Sequence, residues 1–179
     1  MVKGLCTLVP VLFCLNGCLV GGFRGFWWLL AGLVFCLIGD VAIEKNLYAG
    51  MGAFAAAHIL FIVAFLVYAQ PTLLSIPVFL VLYALSAFAF RKRFREMKER
   101  LLPFILYAAL VLGMLSMALG LPPLPGTMVL AGGAALFTLS DLTLARNILK
   151  GDKPPRRSDV FSLGCYYAGL YLIALSVWL

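Results

Sequence analysis

The length of its apolar runs constrains this chain more than any other feature. Seven stretches, roughly 4–20, 26–43, 51–69, 73–90, 101–119, 127–146 and 160–178, are almost free of charge. At about 1.5 Å per helical residue, each covers most of a hydrocarbon core about 30 Å thick. With 64% of 179 residues hydrophobic and 12% charged, a soluble domain of this size has too little interior to hide them. The expectation is an all-α fold. It is a polytopic membrane bundle of seven transmembrane helices forming one domain over residues 1–179.

The breaks support this division. Gly21-Gly22 separates the first two spans, Gln70-Pro71 the third and fourth, and Leu121-Pro-Pro-Leu-Pro-Gly126 the fifth and sixth. Pro77 and Pro103 fall in the first turns of their helices, where a missing N–H costs least. The first apolar stretch follows a short basic start but has no convincing small-x-small cleavage site, so it is read as the first helix.

Charge then orients the bundle. Seven spans put the N-terminus and the loops after the second, fourth and sixth on one side. That side takes Lys3, Lys45, the cluster Arg91, Lys92, Arg93, Arg95, Lys98 and Arg100, and the cluster Arg146, Lys150, Lys153, Arg156 and Arg157, which is every basic residue except Arg24. By the positive-inside rule the N-terminus is cytoplasmic. The net charge of +7 is therefore a matter of topology and anionic lipid, and no nucleic acid partner is expected. Five cysteines lie in or beside apolar stretches without a CxxC pair, and there is one histidine. These exclude a disulfide framework and the usual zinc sites, so no metal and no cofactor are expected.

Against this background two acids stand out. Asp40 lies in FCLIGDVAIEKN and Asp141 in LFTLSDLTLARN. An acid inside a span is costly and marks function or tight pairing. Each is fourteen residues after the start of its span at Phe26 or Thr127, so each lies about 21 Å along a helix running in the same direction. Their surroundings repeat. Asp40, Lys45, Asn46 and Gly50 match Asp141, Arg146, Asn147 and Gly151, and Gly39 or Ser140 precedes the acid. This points to a parallel internal repeat in which each half gives one acid helix to a shared cavity. The bland alternative is that the acids snorkel or pair with a nearby cation, although Lys45 and Arg146 are five positions on and poorly placed for that.

His58 falls at a similar depth behind Ala55, Ala56 and Ala57, either capped by a carbonyl or lining the pocket. Tyr166 and Tyr167 enter the last span at matching height, but neighbours on a helix point about 100° apart, so one at most faces the cavity. Trp27, Trp28 and Trp178 read as interfacial belt residues. Arg91, Arg93, Arg146 and Arg156 are candidates for holding a lipid phosphate.

The order Gly39-Asp40, then Ala53 to Phe61 with Ala57-His58, then Leu136 to Asp141, then Tyr166-Tyr-Ala-Gly169 resembles the YhhN/TMEM86 family, the lysoplasmalogenases. Members of that family usually have eight spans, against seven counted here. The resemblance implies hydrolysis of the vinyl ether bond of lysoplasmalogens to a fatty aldehyde and a glycerophospho-base. It implies catalytic roles for Asp40 and Asp141, and the substrate-contact candidates are His58, Tyr166, Tyr167 and Arg146. The chemistry needs one carboxylic acid and one carboxylate, as in glycoside hydrolysis. Expected partners are a lysophospholipid, membrane lipids and water. The chain is expected to be a multi-pass protein of the cell membrane, a monomer with a dimer as the alternative. A transporter of small solutes or lipids using the same two acids is the competing reading.

Overall fold

A computed structural model describes residues 2–68, 70–92, 101–150 and 155–179. Of the expectations above, those on Arg93, Arg95, Lys98, Arg100, Gly151 and Lys153 lie outside the described residues. The apolar runs become seven α-helices: α1 Val2–Gly21, α2 Arg24–Ile43, α3 Leu47–Tyr68, α4 Ser75–Phe90, α5 Leu101–Leu119, α6 Pro125–Lys150 and α7 Arg156–Leu175. A 3-10 turn, Ser176–Trp178, follows α7. No strand occurs among the described residues. Six of these helices are long and apolar enough to cross a membrane. The other, α4, has 16 residues, about 24 Å of helix, so the expected seven spans are met in length by six. The protein is a multi-pass membrane bundle.

Helix boundaries differ from the apolar runs where capping or continued helix overrides hydropathy. Asn46 accepts the backbone N–H groups of Tyr48 at 2.9 Å and Ala49 at 3.2 Å, so α3 starts at Leu47, four residues earlier than its apolar run. Pro125 and Gly126 begin α6, which continues through polar residues to Lys150. Pro155 precedes α7, whose first turn is polar and so lay outside the apolar run.

Six helices close a ring. Neighbouring pairs are α1–α2, α2–α3, α3–α5, α5–α6, α6–α7 and α7–α1, with α4 packed outside against α5. Taken as α1–α2–α3 and α5–α6–α7, the two halves of the ring pair their helices in the same order. The acids keep their register in it. Asp40 and Asp141 are each sixteen residues past the first residue of their helix, Arg24 or Pro125, or about 24 Å along it.

Close packing in the two halves uses matching sites filled differently. Gly133 of α6 lies eight residues before Asp141 and meets Gly169 of α7. A Cβ on either would fall 2.9 Å from the other's carbonyl oxygen, so the helices touch backbone to backbone. Gly32, eight residues before Asp40, instead receives the ring of Phe61 from α3. Phe61 and Phe137 then meet across the ring centre, with centroids 6.2 Å apart and both side chains fully buried.

Candidate active site

Each aspartate is held by side chains from two other helices, and the two arrangements correspond. Asp40 Oδ2 accepts hydrogen bonds from the Thr7 hydroxyl and, at 3.0 Å, from the Tyr166 hydroxyl. Asp141 Oδ2 accepts from the Tyr107 hydroxyl at 3.0 Å and faces His58 Nε2 at 3.0 Å. Thr7 comes from the helix before Asp40's own and Tyr107 from the helix before Asp141's own, at sequence separations of 33 and 34 residues. The second partner is exchanged. His58 belongs to the helix after Asp40 but binds Asp141, and Tyr166 belongs to the helix after Asp141 but binds Asp40. Depth explains why these residues meet. Thr7 and Tyr107 are the sixth and seventh residues of α1 and α5, and His58 and Tyr166 the twelfth and eleventh of α3 and α7.

The stations are buried. Asp40 is 5% exposed, Asp141 8% and His58 0%. An Asp inside a span costs at most roughly 2.5–3.5 kcal/mol on insertion scales, the value for the helix centre, and a hydrogen bond to a charged group returns about 1.5–3 kcal/mol. The two polar partners of each aspartate are therefore enough to keep it in place. Snorkelling is not needed, and neither Lys45 nor Arg146 has an ion pair to an aspartate among the described residues.

Between the stations runs an aromatic column. Phe137 packs on His58 at 4.9 Å and on Tyr166 at 5.4 Å, and Phe54 stands edge-on to both Phe137 and Tyr166. The Phe54 ring lies over Gly39, where an added Cβ would sit 2.9 Å from the ring. The small residue before the first acid thus makes room for the wall beside it. Cys36, one turn before Asp40 and fully buried, lies within reach of the charge of both carboxylates.

Two apolar cavities meet at Asp141. The larger, about 630 Å³ with its open mouth included, lies in the gap between α4 and α6 with α5 as its floor, and Tyr83, Ser86, Phe90, Ala108 and Leu142 are among its walls. The smaller, about 320 Å³, reaches toward the α2–α3 turn between Ile43, Leu47, Met51 and Ile148. Phe104, Tyr107, Asp141 and Ala145 border both. Phe104 with Tyr107 and Asp141 with Ala145 are spaced three and four residues apart, so each pair shares a helix face. Asp40 borders neither of these cavities; Phe54, whose ring lies over the neighbouring Gly39, lines the smaller one. Of the two acids expected to share one hollow, Asp141 lines these two cavities and Asp40 does not.

The other expected contacts distribute accordingly. His58 reaches the cavity region through Asp141, and Tyr166 serves Asp40. Tyr167 is half-buried against the Tyr166 ring, with centroids 5.1 Å apart. Arg146 is exposed, as are Arg91 and Arg156. Arg91 caps the ring of Phe88 at 3.7 Å. None of these lines either cavity. The repeat partner of Asn46 behaves differently from it, since Asn147 stays inside α6 and accepts the Ser158 hydroxyl at 2.9 Å.

Sequence reasoning did not single out Thr7, Tyr107, Phe54 or Met114. Depth could have found the first two, since both are polar groups one to two turns from the same end of the bundle as the acids. Phe54 and Met114 carry no such signal in an apolar span.

No solved structure matches the chain. The chain is similar to lysoplasmalogenase TMEM86B of Sus scrofa, 35% identical over 187 aligned residues covering 99% of this chain and 74% of that protein. The YhhN family model matches residues 1–177. With that match running almost end to end, the chain belongs to the YhhN family.

Proposed function

We propose that this protein is an intramembrane hydrolase of the vinyl ether bond of lysoplasmalogens, releasing a fatty aldehyde and a glycerophospho-base, with Asp141 as the reacting acid. One observation carries the reading. A carboxyl group, flanked by an imidazole and a phenol, stands at the junction of two apolar cavities, one of which is walled by α4, α5 and α6. The similarity to a protein named for this activity supports the substrate class.

The apolar walls of the larger cavity suit a single hydrocarbon chain entering from the bilayer. With the chain between α4 and α6, the vinyl ether lies beside Asp141. The Asp141 proton goes to the β-carbon, forming a C–H bond from the π pair and leaving an oxocarbenium ion. Water attacks that cation and gives its proton to the Asp141 carboxylate, yielding a hemiacetal. Asp141 then protonates the departing glycerol oxygen and recovers the hemiacetal O–H proton as the C–O bond breaks. One water is consumed and Asp141 ends as it began. Tyr107 holds the carboxyl's orientation. Asp40, ionised behind Phe54, lowers the energy of the cation through a poorly screened interior. The headgroup rests toward the basic end of the bundle. In this reading the protein sits in the cell membrane with its N-terminus in the cytoplasm and works as a monomer.

Purified protein given lysoplasmenyl-ethanolamine in detergent micelles is expected to release free aldehyde, measured by coupled oxidation. A wild type that releases none from any vinyl-ether lyso-lipid contradicts the reading.

A further inference from the structure

We propose that Met114 fixes the proton count of the His58–Asp141 pair, so that Asp141 is the station that stores the acid proton and Asp40 the standing carboxylate. Its meaning for turnover rests on the hydrolase reading; the proton count itself does not.

His58 is the single histidine of the chain and is fully buried. Its two ring nitrogens face different atoms. Nδ1 lies 3.3 Å from the sulfur of Met114, itself fully buried on α5. A thioether sulfur accepts hydrogen bonds and never donates one. A bare Nδ1 at that distance would set lone pair against lone pair, whereas a protonated Nδ1 makes an N–H···S bond. The proton therefore sits on Nδ1.

The consequence falls on the other nitrogen. Nε2 lies 3.0 Å from Asp141 Oδ2. A bare Nε2 against a carboxylate would again oppose two acceptors, so one proton lies between them. It is held either as carboxylic acid with neutral imidazole or as carboxylate with imidazolium. Tyr107 does not supply it, because its hydroxyl donates to Oδ2 at 3.0 Å and stands 3.5 Å from Nε2. In both forms the pair is neutral and carries one proton more than an ordinary carboxylate beside a neutral histidine. Burial favours the same answer, since a lone uncompensated charge is expensive in a dry interior. The remaining groups against the pair are the Phe137 ring of α6 at 4.9 Å and, within charge reach of Asp141, the Cys36 thiol of α2.

Asp40 is arranged oppositely. Two hydroxyls, Thr7 and Tyr166, donate into one of its oxygens, as suits an ionised carboxylate. The His58 and Tyr107 contacts to Asp141 likewise fall on Oδ2, and the residue itself lines both cavities. Asp141 is thus the catalytic acid, and His58 and Met114 are positioning residues that keep it loaded.

The test is a ¹⁵N spectrum of protein labelled at histidine, in detergent at pH 7 without substrate, where the single imidazole gives an unambiguous pair of signals. The wild type is expected to show Nδ1 protonated. Met114→Leu, close in volume, is expected to move the proton to Nε2 and to lower kcat roughly tenfold at unchanged KM. A purely structural Met114 would leave the tautomer as it is. A wild-type spectrum with bare Nδ1 and protonated Nε2 overturns the proposal, and that result stands whether or not Met114→Leu folds. Failure of aldehyde release with Nδ1 protonated would instead remove the hydrolase reading and leave the proton count.

Discussion

The two carboxylate stations occupy the same place in the two halves of the ring, yet Asp141 lines both of the cavities described and Asp40 lines neither. Each aspartate is sixteen residues into its helix, and each takes one partner from the helix before it and one from the opposite half. What differs is the chemistry around them. Asp40 has two hydroxyls and the Phe54 wall, whereas Asp141 has an imidazole, a phenol and open space. The helix α4 packs on α5 beside Asp141, and no described helix holds the matching place beside α1. A repeated scaffold thus supplies two corresponding buried acids with different neighbours. In the reading proposed above, Asp141 exchanges protons and Asp40 holds a charge.

Substitution can break that comparison directly. Asp141→Asn is expected to reduce aldehyde release by about 10²–10⁴-fold, the range for loss of a general acid. Asp40→Asn should cost only about tenfold in kcat, as loss of one electrostatic contribution through intervening side chains. Equal losses in initial-rate assays of folded variants would mean that the two stations do the same work.

The groove gives a finer test. Ala108→Trp fills the wall of the larger cavity one residue beyond Tyr107 and should raise KM for long-chain substrate several-fold, with little effect on a short-chain one. Leu8→Trp is the matching change one residue beyond Thr7, on a surface 37% exposed, and should leave both constants unchanged. Responses of similar size would show that the empty gap beside α6 is not where the chain lies.

The smallest effect concerns packing alone. Gly169→Ala pushes a methyl to 2.9 Å from the α6 backbone. A cost of about 1–3 kcal/mol is expected, seen as a lower midpoint of thermal unfolding in detergent, with the initial rate at low temperature nearly retained.

Much of this fold was legible in the sequence because lipid leaves few choices. Run length gave the helices, and the common depth of Asp40 and Asp141 survived even though both helices start two residues earlier than their apolar runs. Boundaries were less legible. Hydropathy does not see Asn46 capping α3, nor α6 continuing past Asn147. The partner exchange was not legible at all, because it depends on which helices close the ring. Nothing in a Thr, a Tyr or a Met within an apolar run announces its neighbour. The larger cavity likewise depends on where α4 docks, which composition does not specify.

Hydrolysis in D₂O tests the central claim most directly. If Asp141 delivers its proton to carbon, aldehyde released from lysoplasmenyl-ethanolamine by the wild type should carry one deuterium on the carbon next to the carbonyl, beyond the exchange found in aldehyde incubated alone. Aldehyde released without that deuterium would contradict the account.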